Sequence, residues 1–438
     1  MKNTKIQIVG AGFSGLSLAW ELQKKGFTVE IFEQSKQVGG LIQTIRSETH
    51  LRETAANGVL YNERFARLAK ELDVVFIPTR PQAKKRFIFR DDQMRRWPLS
   101  FLASLGLFFR GLVFFIQYKW TKSFGEKSTE SLHDWAQRKL GPDFTRYVLS
   151  AGIRGIFAIS PKKLNASAVL NSFKAVIANT QNEVRGTWAP QFGMGQLIQS
   201  LYEKLKLKNI IFREQKIRSL EDLPIDDKNI VVLATSAWDA AQILKLESLN
   251  KISAIPLLSV TCVWSETVMV PEAFGCLVNE EDSFFAKGVL FNRSLFENRG
   301  PNASETWIVG QDFKDSSRTD SVTKSESNPT HNLLEVSKNK ARSICDLTDD
   351  EIKTKILSDR QRLTNVGGVE PVEFYVQRWP QAIPAYDNNL SEFLRDFKNE
   401  NFLPKNIFLT GNYLGKIGLA KIYDNNILLA ERLDQLYL

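Results

Sequence analysis

The chain has 438 residues and carries 58 Lys and Arg against 49 Asp and Glu, a formal net charge of +9. Hydrophobic residues make up 43%, charged residues 24% and aromatic residues 11%, which excludes a disordered, collagen-like or coiled-coil chain. A chain of this length is expected to form roughly two to three domains and to bury its core without disulfide or metal staples.

The first predicted feature is a strand–helix–strand unit. A buried strand at residues 5–9 leads into a glycine-rich turn at residues 10–15, which opens a helix. A second strand at residues 28–32 ends in Glu33. In dinucleotide-binding units the glycines let the backbone approach a pyrophosphate, and the acid after the second strand accepts a ribose hydroxyl. We therefore predict a nucleotide site here, and Gly39-Gly40 is a second place where backbone could pass a phosphate.

A basic segment that contains a long apolar run follows. Residues 80–127 hold eleven basic and three acidic side chains, so eight of the nine net charges lie in this window. Inside it, residues 98–117 form a twenty-residue run whose only charge is Arg110, close to membrane-spanning length. A span would bury that charge, so we favour a helix lying in the plane of one leaflet. A soluble core helix and a solvated basic face stay open as alternatives.

The residues that flank the run favour an anionic membrane as the partner. Arg95 and Arg96 before it and Lys119 and Lys122 after it are placed to meet lipid phosphates, with Trp97, Tyr118 and Trp120 at the interface. No base-stacking motif or nucleic-acid module accompanies these charges, so we expect no nucleic-acid partner. We predict a peripheral or monotopic protein on the cytoplasmic side of the cell membrane.

The rest of the chain organises around returning β-type runs. Residues 128–180 are predicted helical. Runs at residues 209–212 and 230–234 indicate that the nucleotide-binding domain is discontinuous. Residues 315–332 are predicted to form a surface loop, residues 407–410 a short strand, and residues 428–436 a closing helix.

Cysteine and histidine give no sign of a metal site. The three cysteines contain no C-x-x-C pair, and the three histidines are far apart in the sequence. We therefore expect no bound metal and a reduced environment.

Several motifs, taken in order, resemble the flavin-containing amine oxidase superfamily and, within it, the oxygen-dependent protoporphyrinogen oxidases of haem biosynthesis. The resemblance covers nearly the whole chain. The segments that carry it are the glycine turn with Gly39-Gly40-Leu41, Arg86-Phe-Ile-Phe, residues 150–164, Gly193-Met-Gly-Gln-Leu-Ile, residues 273–278, residues 288–301, Arg378-Trp-Pro-Gln-Ala-Ile-Pro-Ala-Tyr386 and Gly411-Asn-Tyr-Leu-Gly-Lys-Ile-Gly-Leu-Ala420.

The resemblance implies an α/β fold with three parts. The first is a discontinuous Rossmann-like FAD-binding domain at residues 1–82, 187–250 and 400–438. The second is a mixed-sheet substrate-binding domain at residues 83–97 and 251–399. The third is a helical membrane-associated domain at residues 98–186.

The resemblance also implies the residues of the site. FAD is the expected cofactor, and the flavin accepts hydride, so no catalytic side chain is identified. The expected cofactor-binding residues are Gly10, Ala11, Gly12, Ser14, Gly15, Glu33, Gly39, Gly40, Leu41, Ile217, Ala234, Trp379, Gly411, Asn412, Gly418, Leu419 and Ala420. For the tetrapyrrole substrate they are Arg86, as partner of a propionate, with Phe274 and Leu277 against the pyrrole rings.

The implied activity is six-electron oxidation of protoporphyrinogen IX to protoporphyrin IX, with oxygen as acceptor and hydrogen peroxide as product. Coproporphyrinogen oxidation, another amine-oxidase-type oxidase or desaturase, and a non-catalytic flavin-bound membrane protein stay open, as does a homodimer. Three departures from the family pattern bear on the substrate: Glu53-Thr-Ala-Ala-Asn-Gly58 where E-x-G-P is common, Val278 where proline is usual, and Asn425-Asn426 in place of Ser-Gly.

Overall fold

The computed structural model describes residues 4–121, 123–127, 129–178, 186–223, 229–311, 343–399 and 402–437. The loop predicted at 315–332 and Lys122 therefore lie outside the described residues. The strands of the described ranges are β1 (Lys5–Val9), β2 (Thr28–Glu33), β3 (Thr44–Arg46), β4 (Leu51–Glu53), β5 (Val59–Leu60), β6 (Phe76–Pro78), β7 (Arg86–Arg90), β8 (Gln93–Arg95), β9 (Thr187–Pro190), β10 (Ile211–Glu214), β11 (Asn229–Leu233), β12 (Ala254–Val263), β13 (Gly275–Val278), β14 (Gly288–Phe291), β15 (Ser304–Gly310), β16 (Glu373–Pro384) and β17 (Ile407–Leu409).

The helices of the same ranges are α1 (Phe13–Lys24), α2 (Glu63–Glu71), α3 (Phe101–Thr121), α4 (Leu132–Leu140), α5 (Pro142–Phe144), α6 (Ser150–Phe157), α7 (Ala166–Ala178), α8 (Met194–Leu207), α9 (Ala237–Leu244), α10 (Glu247–Asn250), α11 (Asn292–Leu295), α12 (Asp349–Thr364), α13 (Asn388–Asp396) and α14 (Leu419–Leu436). A π-helical turn, Thr145–Leu149, joins α5 to α6.

A five-stranded parallel sheet has the order β10-β2-β1-β11-β17. Its central strands are mostly buried because both faces of the sheet are covered; all of β11 is buried. The sheet brings together strands from three distant parts of the chain, as the predicted discontinuous domain requires. The exact domain boundaries stay a prediction.

The register of this sheet aligns the strand ends. Val9 pairs with Phe32 on one side and with Leu233 on the other, and Leu233 pairs with Leu409. The loops that follow these strands therefore open along one edge, the carboxyl edge where ligands of parallel sheets bind.

Helix α14 packs against α1 and begins earlier than predicted. It starts at Leu419, after Gly418 in a left-handed conformation with φ of +89°, whereas the sequence pattern placed its start at Leu428. The polar residues inside it explain the error, because Asn426 is fully buried and hydrogen-bonded to α1 and to Thr410. Polar residues in a buried helical segment hide the apolar period.

A seven-stranded mixed sheet has the order β16-β12-β15-β14-β13-β7-β8. Its strands are antiparallel except for β13, which pairs in parallel with β7. One face packs on α12 through buried residues such as Ile352 and Ile356. This is the mixed sheet that was expected.

The chain between β8 and β9 is mainly helical, as predicted, and contains α3 to α7. Helix α3 has 21 residues and none of them is buried. The alternative that this run forms a soluble core helix is therefore wrong. By length and composition α3 is apolar enough to cross a membrane.

Candidate functional site

A cavity of about 630 Å³ lies along the carboxyl edge of the five-stranded sheet. Turns after β1, β2, β11 and β17 contribute to its wall, and so do α6, α9 and the end of β16. Residues separated by hundreds of positions thus meet in one concave site, as ligand sites of this fold class do.

The glycine turn after β1 forms one end of the cavity. Gly12 is the N-cap of α1, with no side chain bonded to the free N–H groups and no acid in the first turn. A Cβ built on Gly12 meets no atom within 4 Å. Open space, free N–H groups and the positive end of the helix dipole meet at Gly12, a combination that suits a phosphate.

A second glycine loop lies beside the first. The N–H of Gly39 donates to Ala11 O at 2.8 Å, and a Cβ on Gly40 would lie 3.5 Å from Gly12 Cα. Gly39 has φ of +113°, and a Cβ there would lie 2.9 Å from Ile42 O. A side chain at Gly40 would point towards Gly12, whereas one at Gly39 would meet Ile42 and Ile198. A ligand close to the backbone of Gly12 is therefore also close to Gly40.

Glu33 lies at the end of β2 and lines the cavity. One carboxylate oxygen accepts the Ala11 N–H at 2.8 Å and the other accepts the Ser35 N–H at 3.0 Å. These bonds fix the carboxylate beside the glycine turn. A carboxylate oxygen accepts more than one hydrogen bond, so Glu33 can still accept a ribose hydroxyl.

The opposite end of the cavity is formed by β17 and α14. Gly418 is the N-cap of α14, again without a side-chain cap or an acid in the first turn. The Tyr386 hydroxyl donates to Asn412 O at 2.8 Å and thereby fixes the loop after β17. A second helix N-terminus therefore opens on the same cavity.

Asn426 connects the two ends. Its side-chain N–H groups donate to Ser14 O and Ser17 Oγ, each at 2.8 Å, and its Oδ1 accepts the Thr410 hydroxyl at 2.5 Å. In the sequence this residue was only a departure from the family pattern. The structure shows that it joins α14, the first turn of α1 and the end of β17.

Most of the residues expected to bind the cofactor lie around this one cavity, although cofactor contact itself stays a prediction. Those that line it are Gly10, Gly12, Ser14, Glu33, Gly39, Gly40, Leu41, Ile217, Ala234, Gly411, Asn412, Gly418 and Leu419. Those outside its lining are Ala11, Gly15, Trp379 and Ala420.

The structure gives three of those four residues other contacts. Ala11 holds Glu33 through its N–H. A Cβ on Gly15 would lie 2.0 Å from Gly10 O, so Gly15 allows the turn and helix to pack closely. The Trp379 indole donates to Thr54 O at 2.9 Å, and Ala55 and its neighbours form part of the wall.

The expected substrate residues lie in the mixed sheet and not in the cavity lining. The Arg86 guanidinium stacks 4.3 Å from the Phe274 ring centroid. Arg86 is in register with Gly275, so it shares a sheet face with Leu277 two residues further on. A Cβ on Gly155 of α6 would lie 2.4 Å from Leu277 Cδ2. Since Ile156 lines the cavity, this sheet face and the cavity are neighbours.

Sequence reasoning missed several wall residues. Ile156 and Phe157 of α6 lie in the family-like segment 150–164 but were not singled out, and Trp238 of α9 lies outside every family-like segment. Residues 381–384 and Tyr386 also line the cavity, and they belong to the segment in which only Trp379 was singled out. For the residues of α6 and for residues 381–386, the family-like segments were the available signal. Such a segment does not show which of its side chains face the cavity.

Glu53 supports the wall from behind. It is 4% exposed, and its carboxylate accepts the Met194 N–H at 2.9 Å and the Thr44 hydroxyl at 2.6 Å. Burial raises the pKa of Glu53, and these hydrogen bonds oppose that rise. Glu53 is thereby held against the first turn of α8.

The fold and the cavity define a dinucleotide-binding protein with a second, mixed-sheet domain. A family model described as flavin containing amine oxidoreductase matches residues 13–416. The chain therefore belongs to the flavin-containing amine oxidoreductase family.

Curated relatives match over most of the chain. Protoporphyrinogen oxidase 2, chloroplastic/mitochondrial, of Arabidopsis thaliana is 24% identical, with 95% of this chain and 91% of the relative covered. Coproporphyrinogen III oxidase of Bacillus subtilis is 19% identical, with 96% of this chain and 95% of the relative covered. Human protoporphyrinogen oxidase is 22% identical, with 66% of this chain and 73% of the relative covered.

Solved structures show the same fold. A protein from Exiguobacterium sp. 255-15 assigned as a protoporphyrinogen oxidase superposes with a TM-score of 0.74 at 15% identity, covering 99% of each chain. A putrescine oxidase variant gives 0.68 at 16% identity, covering 99% and 98%. The expected α/β fold and its FAD cofactor are confirmed, and the cavity has the glycine loops and free helix N-termini that FAD requires.

Proposed function

We propose that this FAD-dependent oxidoreductase oxidises a porphyrinogen to the porphyrin, with protoporphyrinogen IX as the first candidate and coproporphyrinogen as the second. The observation that carries the proposal is the match to protoporphyrinogen oxidase 2 over 95% of the chain. The match to a coproporphyrinogen oxidase over 96% favours the second candidate. Six electrons leave the substrate, and molecular oxygen takes them up as hydrogen peroxide.

The chemistry that bound flavin supplies is the acceptance of hydride. The residues of this chain therefore serve to bind and orient the substrate. An apolar wall of Ile156, Phe157 and Ile383 lies in the same cavity as the flavin-contact residues. Arg86 and Leu277 lie on the adjoining sheet face, where a propionate can meet the guanidinium while the rings lie against apolar carbon. Arg86 is the proposed propionate anchor.

The activity is tested with purified FAD-loaded protein under air. Porphyrin fluorescence is followed after addition of protoporphyrinogen IX or coproporphyrinogen, with hydrogen peroxide measured in parallel. We expect one of the two to be oxidised well above the rate without protein. Bound flavin with no rate gain for either substrate would contradict the proposal and favour a non-catalytic flavoprotein, or an oxidase of another substrate class.

The anchor is tested by Arg86→Ala with Lys84→Ala as the matched control. Loss of a charge-assisted contact should lower kcat/KM about tenfold or more for Arg86→Ala, while the neighbouring exposed cation at position 84 should be dispensable. Both variants should keep bound FAD. If Arg86→Ala instead loses flavin, its role is structural.

We also propose that helix α3 attaches the chain to one leaflet of an anionic membrane, on the cytoplasmic side of the cell membrane. Its outward face carries no charge before Lys119, and each of the large apolar side chains on that face up to Ile116 is between 43% and 81% exposed. They are Phe101, Leu102, Leu105, Phe108, Phe109, Leu112, Val113, Phe115 and Ile116. An apolar face this wide is costly in water.

The position of Arg110 favours an in-plane helix. It lies three residues after Leu107 and four before Phe114, so it belongs to the inward half of α3. A Cβ on Gly141 would lie 3.4 Å from Arg110 Cδ, which places the side chain against the α4–α5 turn. Phe114 packs at 5.8 Å from the Trp135 ring. One side of α3 thus contacts protein, and only the other is free to enter lipid.

Liposome flotation tests this attachment. Wild type should float with vesicles containing phosphatidylglycerol, and Phe108→Glu with Phe109→Glu should stay in the soluble fraction. The control replaces two exposed apolar side chains elsewhere, Leu207→Glu with Met269→Glu, and should float. Equal flotation of all three proteins would show that α3 is not the contact.

A further inference from the structure

A second cleft, of about 450 Å³, lies on the outer side of the loop at residues 38–42. Strand β3 and helix α8 form its other walls. The same loop borders the FAD cavity on its inner side, and Ile42 lines both spaces. Apart from that shared loop and Gly195, Gln196 and Ile198 of the family-like segment 193–198, neither the family motifs nor the proposed substrate residues lie in this cleft.

The charges around the cleft have one sign. Lys36 and Arg46 line it, and no Asp or Glu does. Neither cation forms an ion pair with an acid anywhere in the described part of the chain. Such unpaired cations in a concave polar surface create a positive potential that attracts an anion.

Two acids outside the lining accept hydrogen bonds from side chains that line the cleft. Glu53 is buried behind Thr44, whose hydroxyl donates to it at 2.6 Å. Glu203 accepts the Gln199 amide at 2.7 Å on the exposed side of α8. Their hydrogen bonds are to neutral groups, so they do not pair with Lys36 or Arg46.

Aromatic rings lie beside the cations. Phe192 is 47% exposed at the cleft, and the Arg46 guanidinium lies 5.4 Å from its ring centroid. The Tyr202 ring also lines the cleft. Glutamine amides complete the wall, among them Gln196, whose Oε1 accepts the Phe192 N–H at 3.2 Å and whose NH₂ remains a donor.

We propose that this cleft is a second binding site, for a small organic anion that carries a flat ring. The anionic group meets Lys36 and Arg46, and the ring lies against Phe192 and Tyr202. Guanidinium suits a phosphate or carboxylate, and an exposed ring beside a cation suits a planar ligand. A ligand here contacts the outer side of the loop that borders the FAD cavity.

Titration calorimetry of FAD-loaded protein with phenyl phosphate tests the proposal, with phenol and inorganic phosphate as the two halves of the probe. Bound FAD occupies the phosphate site at the glycine turn, so phenyl phosphate is not measured there. Because the titration measures binding, it does not depend on porphyrinogen oxidation. We expect phenyl phosphate to bind at least about tenfold more tightly than either half, a difference of about 1.4 kcal/mol. Equal affinity for inorganic phosphate would overturn the ring part of the proposal.

Matched variants locate the site. Lys36→Gln with Arg46→Gln should weaken phenyl phosphate binding at least about tenfold, and Phe192→Ala should weaken it without changing the affinity for inorganic phosphate. Lys208→Gln, at the end of α8 and outside the cleft, should bind as wild type. Flavin absorbance and the melting temperature check that each variant is folded. Wild-type affinity in the Lys36 and Arg46 variant would overturn the site.

Discussion

Asp359 shows at the residue scale how burial changes the chemistry of a side chain. It is 5% exposed, and its carboxylate accepts the N–H groups of Phe285 and Ala286 at 3.2 and 2.8 Å. Burial raises its pKa to about 6, against those two bonds. The sequence contained a signal, since Asp359 follows Ile352 and Ile356 on one helical face, but only packing showed that this face is closed to water.

The pKa of Asp359 gives a prediction for stability against pH. A carboxyl group with a raised folded-state pKa stabilises the fold below its unfolded pKa, and this contribution is lost as pH rises through about 6. Relative to Asp359→Asn, wild type should therefore lose about 1–3 kcal/mol of unfolding free energy between pH 4 and pH 7. Urea unfolding at both pH values measures the difference.

Asp92→Asn serves as the control for this pH dependence, because Asp92 is an exposed turn residue. Its unfolding free energy should follow wild type at both pH values. A wild-type pH dependence in Asp359→Asn as well would show that another group titrates in this window.

The first turn of α1 is the element on which nucleotide binding most directly depends. Its sequence signal was strong because strand, glycine turn, helix and acid are local and follow one another. Their spacing could not show that Gly12 and Gly15 have different tasks. Gly12 opens into the cavity, whereas Gly15 lies against Gly10 O.

Alanine at the two glycines should separate these tasks. Gly12→Ala has room for its methyl group in the protein itself, so the flavin-free melting temperature should match wild type while FAD affinity falls at least about tenfold. Gly15→Ala forces a contact of 2.0 Å and should destabilise the flavin-free protein by about 1–3 kcal/mol. Thermal melting without FAD and FAD titration measure the two effects. Normal FAD affinity in Gly12→Ala would place the phosphates elsewhere.

At the scale of the whole molecule, the FAD cavity joins three distant parts of the chain. Lining residues from the segments 10–14, 234–236 and 411–419 meet there, and Asn426, in the helix that begins at Leu419, donates to Ser14 O of the first part. Bound ligand stabilises the state that has all three in place. FAD should therefore act on the three parts together and not on the glycine turn alone.

Hydrogen exchange with and without FAD tests this coupling. Amides in all three parts should exchange more slowly when FAD is bound, while residues 258–263 in the mixed sheet should change little. Asn426→Ala, which removes the bonds to Ser14 and Thr410, should reduce the protection of the third part. Protection confined to residues 10–42 would contradict a cavity closed by α14.

The family, the cofactor, the parallel-sheet unit and the long apolar run could be predicted from the amino-acid sequence, because each depends on local spacing or on motifs that follow in order. The remaining features depend on the tertiary structure. Only packing showed that α3 turns a mainly apolar face outward while the Arg110 side chain lies against the α4–α5 turn. It also showed that Trp379 supports the wall from outside and that Lys36 and Arg46 flank a second cleft. Those features depend on which side chains meet across long sequence separations, and residue type alone does not encode that.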